Sequence, residues 1–346
     1  MSSRLAQISS HLTVQPTAAQ TSSIPTKIGV KSPEDVVIVD AVRTPMTRGK
    51  KGGFKDTVPE DLLAAVLIAI KDRNKIDPAI VDDICVGNVL QAAGGATVSR
   101  MAALYAGYPE QTSIYTTNRQ CSSGLQAVVN IASHIQSGLI DIGIGAGVES
   151  MTMGYGPSAM APQTSEKIPE ACEAAADCQL PMGLSKLRPA FDGATTAGNA
   201  SQVSDGAAAV LLMKRKTAEK LGLPIVGKYI ASAVVGCEPK TMGVGPAVAI
   251  PAVLKKIGIQ VKDIDVFEVN EAFASQAVYS IEHCGLPLEK VNPNGGAIAM
   301  GHPLGCTGAR QIATLLPELK RQGKKLGLTT MCIGTGMGMA AVFERE

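Results

Sequence analysis

The chain has 346 residues, enough for one large domain or two of ordinary size. A formal net charge of +2 gives no global case for nucleic acid, and no apolar run approaches the ~20 residues a membrane-spanning helix needs. The 8 cysteines form no C-x-x-C pair and no Cys/His cluster, which argues against structural zinc and a secreted disulfide framework and favours a reducing compartment.

Aromatics make up 3% and Trp is absent, so the core is expected to be aliphatic. Residues 1–32 read as a targeting leader: no Asp or Glu occurs before Glu34, and Arg4, Gln7 and His11 interrupt every apolar run a secretory signal would need. If "SRLAQISSHL" is helical, Leu5, Ile8 and Leu12 share a stripe with Arg4 and His11 beside it, a small face suited to docking in a groove. A mitochondrial presequence is the alternative reading of an acid-poor, Ser-rich start.

The body alternates strands and helices. "EDVVIVDAVRT" reads as a buried strand. "TVPEDLLAAVLIAIKDRN" reads as a helix, with Thr57 and Glu60 as a capping box and Leu62, Leu63, Val66, Leu67 and Ile70 on its apolar face. "DDICVGNVL" is a strand. Another, around "SIY", leads into "TTNRQCSSGLQAVVNIASHIQSG", whose helix has a Leu125, Val128, Val129, Ala132, Ile135 stripe and closes at Gly138. His134 falls on the opposite face. "LIDIGIGAGVES" and "DGAAAVLLMKR" are strands. Between them, residues 152–196 lack any period and read as an irregular loop region.

The order then repeats. "LPIVGKYIASAVV" is a strand, "PAVAIPAVLKKIG" a helix, "IDVFEVN" a strand feeding the helix "EAFASQAVYSIEHCG", and "PLGCTGARQIATLLPELKRQG" a helix. "LGLTTMCIG" and "MGMAAVFERE" close the chain as strands. Strands alternating with helices imply sheets covered by helices. The repetition implies a duplication, with halves at 33–221 and 222–346.

Four residues stand out at strand ends or ahead of helices, where open α/β architectures bind ligands. Cys121 precedes a helix, whose N-terminal dipole favours a thiolate by ~0.3–1 kcal/mol; a useful shift of two pKa units needs about 2.7, so a histidine should assist. His302 lies in the glycine-dense "NPNGGAIAMGHPLGCTG", Cys332 ends a buried strand, and Asn270 ends "DVFEVN". Each has a plainer reading: the cysteines as small buried apolar residues, Asn270 as a helix N-cap. "GGAIAMGHPLG" lacks the G-K-[ST] of a phosphate loop.

"NRQCSSGLQA", "GAGVESM", "TAGNASQVSDGAA", "NEAFA", "NPNGGAIAMGHPLGCTGAR" and "CIGTGMG", in this order, resemble the thiolase family from about Asp35 onward. The leader, with its R-L-x5-H-L pattern at Arg4, Leu5, His11 and Leu12, and the "LPMG" form resemble the peroxisomal branch that acts on 3-ketoacyl-CoA. The resemblance implies an α/β fold of duplicated βαβαβαββ halves in a five-layer α-β-α-β-α sandwich. It implies acyl transfer from a 3-ketoacyl-CoA to CoA in β-oxidation, with Cys121 as nucleophile, His302 as its base, Cys332 as acid and base, and Asn270 holding a water at the thioester oxygen. The N–H groups of Cys121 and Gly334 would form a second oxyanion hole. Met182, Ala197 and Ser201 would line the acyl-pantetheine tunnel. No metal or cofactor is implied, CoA being a substrate; the implied partners are acyl-CoA, a second copy of the chain paired at the sheet edge near the nucleophile strand, and a peroxisomal import receptor. One departure is plain. Thiolases carry a long loop-domain segment between "PMG" and "LRPAF", whereas here "PMGLSKLRPAF" joins them directly. That leaves a truncated, inactive form as the alternative to an active enzyme.

Overall fold

The computed structural model describes residues 27–155, 196 and 198–346. Ten strands are present among them: β1 (Val36–Arg43), β2 (Thr47–Arg48), β3 (Asp83–Gly87), β4 (Ser113–Thr117), β5 (Ile142–Ser150), β6 (Ser204–Lys214), β7 (Gly227–Gly236), β8 (Val266–Val269), β9 (Leu326–Ile333) and β10 (Met337–Arg345). The main helices are α1 (Pro59–Asn74), α2 (Ala96–Tyr105), α3 (Ser123–Ser137), α6 (Gly245–Ile257), α7 (Ala274–Cys284) and α9 (Leu304–Arg321). Shorter ones are α4 (Met151–Gly154), α5 (Arg215–Lys220) and α8 (Ala297–Met300).

The strands pair in the order β4-β3-β5-β6-β1-β7-β10-β9-β8, with β2 on β6. Read outward from the β1–β7 junction, the halves match. β1–β6 and β6–β5 are antiparallel and β5–β3 parallel; β7–β10 and β10–β9 are antiparallel and β9–β8 parallel. The join is slight, with Val37 opposite Lys228 and Ile38 opposite Gly227.

Side-chain alternation along the strands builds the layers. In β1, Val37 and Val39 face α1 and α2 in one outer cluster, whereas Val36 and Ile38 face a central cluster. That central cluster holds α3 and α9 and receives strand residues from both halves, among them Val210, Met331 and Phe343. A third cluster packs α6 on the far face of β7, β8 and β10. The result is α-β-α-β-α, with both strand faces covered, which is why the strands read as continuous apolar runs. Each buried Leu or Ile of the α1 stripe contributes roughly 1.5–3 kcal/mol.

Two local expectations fail. Thr57 and Glu60 form no capping box; Val58 is the N-cap of α1 without a side-chain bond, and Pro59 opens the helix. The helix after β8 starts at Ala274, not at Glu271. Glu271 instead accepts from Asn292 Nδ2 at 2.7 Å and Ile298 N at 3.1 Å, tethering the glycine-rich turn before α8. Among the described residues no helix is long and apolar enough to cross a membrane.

Candidate active site

The central helices position the site. α3 and α9 cross so closely that a Cβ on Gly124 would lie 2.6 Å from the Gly305 carbonyl oxygen and 2.9 Å from Ala309 N. Their N-terminal ends therefore meet where strands of both halves end.

Cys121 sits two residues before α3 and is half-buried. The preceding Gln120 takes φ +48°, a left-handed backbone that a non-glycine residue adopts at a cost of about 1–3 kcal/mol. This kink turns the chain from β4 into α3. The N–H groups of Gly334 and of Cys121 itself reach the Cys121 sulfur. A Cβ on Gly334 would fall 3.6 Å from the Gln120 side chain, so the loop after β9 lies against the cysteine turn. Cys332, the next-to-last residue of β9, is fully buried and close enough for its charge and that of Cys121 to disfavour each other.

His302 and Asn270 form the second group. Both are buried, and Asn270 Nδ2 lies 3.3 Å from His302 Nε2. Thr307, in the first turn of α9, sits with its hydroxyl 2.7 Å from His302 Nδ1 and donates its proton to the Pro303 carbonyl at 3.0 Å. The hydroxyl then accepts from Nδ1, which assigns the proton to Nδ1 and leaves Nε2 as an acceptor, met by the Asn270 Nδ2–H. Asn270 is not a helix N-cap; Phe273 holds that place. Its Oδ1 is buried with no protein partner. Ser201 N donates to Ala272 O at 2.9 Å, which brings Ser201 beside the Asn270 turn.

Electrostatics keep the resting groups neutral. Burial pushes the Cys121 thiol up to about 11, against a smaller pull from the two N–H groups. Ionisation becomes roughly 3 kcal/mol harder than for a thiol at 9.0, more than the ~0.3–1 kcal/mol a helix end returns. The helix dipole therefore does not by itself make a thiolate. Burial pushes Cys332 up as well. Burial, helped by the Arg310 charge, lowers His302 to about 3. Arg310 is itself buried and paired with Glu268 at 3.0 Å. A neutral thiol and a neutral imidazole with an unprotonated Nε2 suit a proton transfer made at the moment of attack.

Met182, Ala197, Arg4, Leu5, His11 and Leu12 lie outside the described residues. Thr307 carries only a weak sequence signal, a hydroxyl residue five positions after a histidine in a glycine-rich turn. His134 stands at 3.7 Å from Asp83 and stacks on Tyr115. His283 stacks on Tyr279. Neither belongs to the site.

Comparison with known proteins adds the following. The family description "Thiolase, C-terminal domain" matches residues 223–345, and "Thiolase, N-terminal domain" matches 36–185 and 179–216. The N-terminal domain thus matches in two pieces that meet around "LPMG". The peroxisomal 3-ketoacyl-CoA thiolase of Yarrowia lipolytica is 46% identical over 392 aligned positions, covering 91% of this chain and 94% of the relative. The human peroxisomal 3-ketoacyl-CoA thiolase is 46% identical, covering 90% of this chain and 91% of the relative. Among solved structures, the dimeric peroxisomal thiolase of Saccharomyces cerevisiae superposes with a TM-score of 0.85 at 44% identity, covering 92% of this chain and 99% of that one. Since 392 aligned positions exceed the 346 residues of this chain, the Yarrowia relative carries residues inside the matched span that have no counterpart here.

Proposed function

The chain belongs to the thiolase family, and on that footing we propose that it is a 3-ketoacyl-CoA thiolase, an acetyl-CoA C-acyltransferase of peroxisomal fatty-acid β-oxidation. It cleaves a 3-ketoacyl-CoA with CoA to acetyl-CoA and a shortened acyl-CoA. The observation that carries the reading is the meeting of Cys121 of the first half with Cys332 and the Gly334 N–H of the second, in a molecule that also holds a buried Asn270–His302–Thr307 chain at the start of the helix packed on α3.

Each residue has a role its surroundings support. His302 Nε2 takes the Cys121 proton as the sulfur attacks the keto carbon. The oxyanion of the tetrahedral intermediate is held by the N–H groups of Cys121 and Gly334; losing one such donor typically costs ~2.7–4 kcal/mol. The carbon–carbon bond breaks, the acyl group stays on sulfur, and the acetyl-CoA enolate accepts a proton from Cys332. Asn270, with Oδ1 uncommitted and Nδ2 on the imidazole, holds a water that with His302 binds the thioester oxygen of the leaving acetyl-CoA. The Cys332 thiolate then takes the proton of incoming CoA, whose sulfur attacks the acyl-cysteine. The acyl group leaves on CoA, and the imidazolium returns its proton to Cys121. Cys332 needs no metal or cofactor for these transfers. Ser201, beside the Asn270 turn, is assigned to the acyl-pantetheine path; Met182 and Ala197, assigned to it with Ser201, lie outside the described residues.

The protein works as a homodimer. β4 is an outer strand of the sheet, and the neighbouring helix α2 exposes Met101 at 59% and Tyr105 at 81%, an apolar surface fit for a second copy. Arg4, Leu5, His11 and Leu12 are assigned to the signal that a peroxisomal import receptor reads. Nothing in the described site favours the inactive alternative.

Thiolysis of a medium-chain 3-ketoacyl-CoA, followed by loss of the substrate's magnesium-enolate absorbance, tests the reading. Turnover is expected, and Cys121→Ala abolishes it. A folded dimer without turnover, or undiminished turnover by Cys121→Ala, refutes it.

A further inference from the structure

Glu149 is the next-to-last residue of strand β5 and is fully buried. Among the described residues no Lys, Arg or His is paired with it, and the neighbouring charge it feels is the like-signed Asp205. Three backbone N–H groups donate to its carboxyl instead: Val89 at 3.1 Å, Leu90 at 3.2 Å and Gly305 at 3.0 Å.

The donors come from both halves. Val89 and Leu90 follow β3 in the first half. Gly305 belongs to the first turn of α9 in the second, between His302 and the Thr307 that holds its imidazole. That turn is pressed onto the strand ends, since a Cβ on Gly305 would lie 2.8 Å from the Gly87 and Val148 carbonyl oxygens. One carboxyl therefore ties the strand ends of the first half to the segment that presents His302. A buried carboxyl without a cation is costly, and burial lifts Glu149 to about 7 despite its three donors. An apolar side chain would fill the space more cheaply but would leave three N–H groups unmet.

We propose that Glu149 is a positioning residue of the cysteine site: by gripping the Val89, Leu90 and Gly305 N–H groups, its carboxyl sets the His302 turn against the half that carries Cys121 and places a negative charge near that thiol. The inference rests on the reading of Cys121 as nucleophile and His302 as its base. Glu149 makes and breaks no bond in the reaction.

The test compares wild type, Glu149→Gln and Glu149→Asp as full chains. It reads kcat and KM for thiolysis and, independently of turnover, the pH dependence of iodoacetamide alkylation at Cys121, followed by peptide mass spectrometry. In Glu149→Gln the charge is lost and an amide NH2 faces N–H donors. Its kcat falls about 10–100-fold with KM within about twofold, as a displaced catalytic group requires. Its alkylation midpoint moves to lower pH, because a negative charge has left the thiol's surroundings. A thiol that ionises more easily yet turns over more slowly is not what a general loss of stability produces. Glu149→Asp keeps the charge with a shorter reach, so it lowers kcat and leaves the alkylation midpoint in place. Wild-type kcat together with an unmoved midpoint in a folded Glu149→Gln overturns the proposal. If circular dichroism shows that Glu149→Gln does not fold, Glu149→Asp decides: lowered kcat supports the proposal and wild-type kcat overturns it. Should the wild type itself show no thiolysis, the functional reading fails on its own, and the alkylation midpoints still decide for or against Glu149.

Discussion

The two halves carry the same framework to opposite ends. Gly87 faces Gly147 across β3–β5, and Val269 faces Thr330 across β8–β9. One residue past the first strand of each pair stand Asn88 and Asn270; two residues along the second stand Glu149 and Cys332. Gly124 packs on Ala309 and Gly308 packs on Leu125, a reciprocal contact that makes Cys121 the counterpart of Gly305. In the second half Asn270 meets an imidazole and Cys332 meets a thiol. In the first half Asn88 Nδ2 is spent on the Gly94 carbonyl at 2.7 Å, and Glu149 accepts the Gly305 N–H. A duplicated fold thus supplies two equivalent corners, of which one is filled with structural hydrogen bonds and the other is left chemically open.

That contrast can be broken deliberately. The largest effect short of removing Cys121 is expected at Cys332→Ser. Serine matches the thiol in shape but does not titrate near neutrality, so kcat falls about 10²–10⁴-fold, the usual contribution of a general acid–base, while melting temperature changes little. Alkylation of Cys121 in the free enzyme should rise about tenfold per pH unit from neutrality towards pH 11, because the group that reacts is the thiolate of a thiol raised to about 11. A plateau extending below neutral pH would instead reveal a resting thiolate–imidazolium pair, contrary to a His302 lowered to about 3. Thr307→Val removes the acceptor for His302 Nδ1–H and frees the tautomer; kcat is expected to drop about 10-fold, and the unmet donor costs about 1–3 kcal/mol in thermal unfolding. Two glycines after β9 sharpen the picture by their difference. Gly336 sits at φ +90° with a Cβ position 2.5 Å from the Cys237 carbonyl oxygen, so Gly336→Ala destabilises by about 1–3 kcal/mol or more. Gly334 has its nearest neighbour at 3.6 Å and serves through its N–H, so Gly334→Ala changes stability by less than about 1 kcal/mol.

Much of the framework is legible because its strands are buried on both faces. "VVIVDAVR", "IGIGAGVES" and "GAAAVLLMK" read as continuous apolar runs, and both Gly138 and Gly258 stop their helices in the left-handed region. Helix α2 escapes such reading because "ATVSRMAALY" mixes small and polar residues and buries only Ser99, Ala102 and Ala103. The start of α7 is misread because Glu271, a good helix former, is held by the distant Asn292 and Ile298. The chemistry-bearing residues announce themselves by residue type at strand ends. Their supports do not: Thr307 and Glu149 act through contacts set by packing of α9 on the strand ends, and no local spacing encodes those. The acidity of Cys121 is likewise decided by burial, which overrides the helix end that the sequence advertises.

The central claim is that Cys121 carries the acyl group between the two halves of the reaction. Mixing the protein with a 3-ketoacyl-CoA in the absence of free CoA, quenching in acid and mapping peptides by mass spectrometry tests it directly. The account predicts an acyl adduct on the Cys121 peptide that disappears when CoA is added. Thiolysis that proceeds with no adduct there, or with the acyl group on another cysteine, would contradict it.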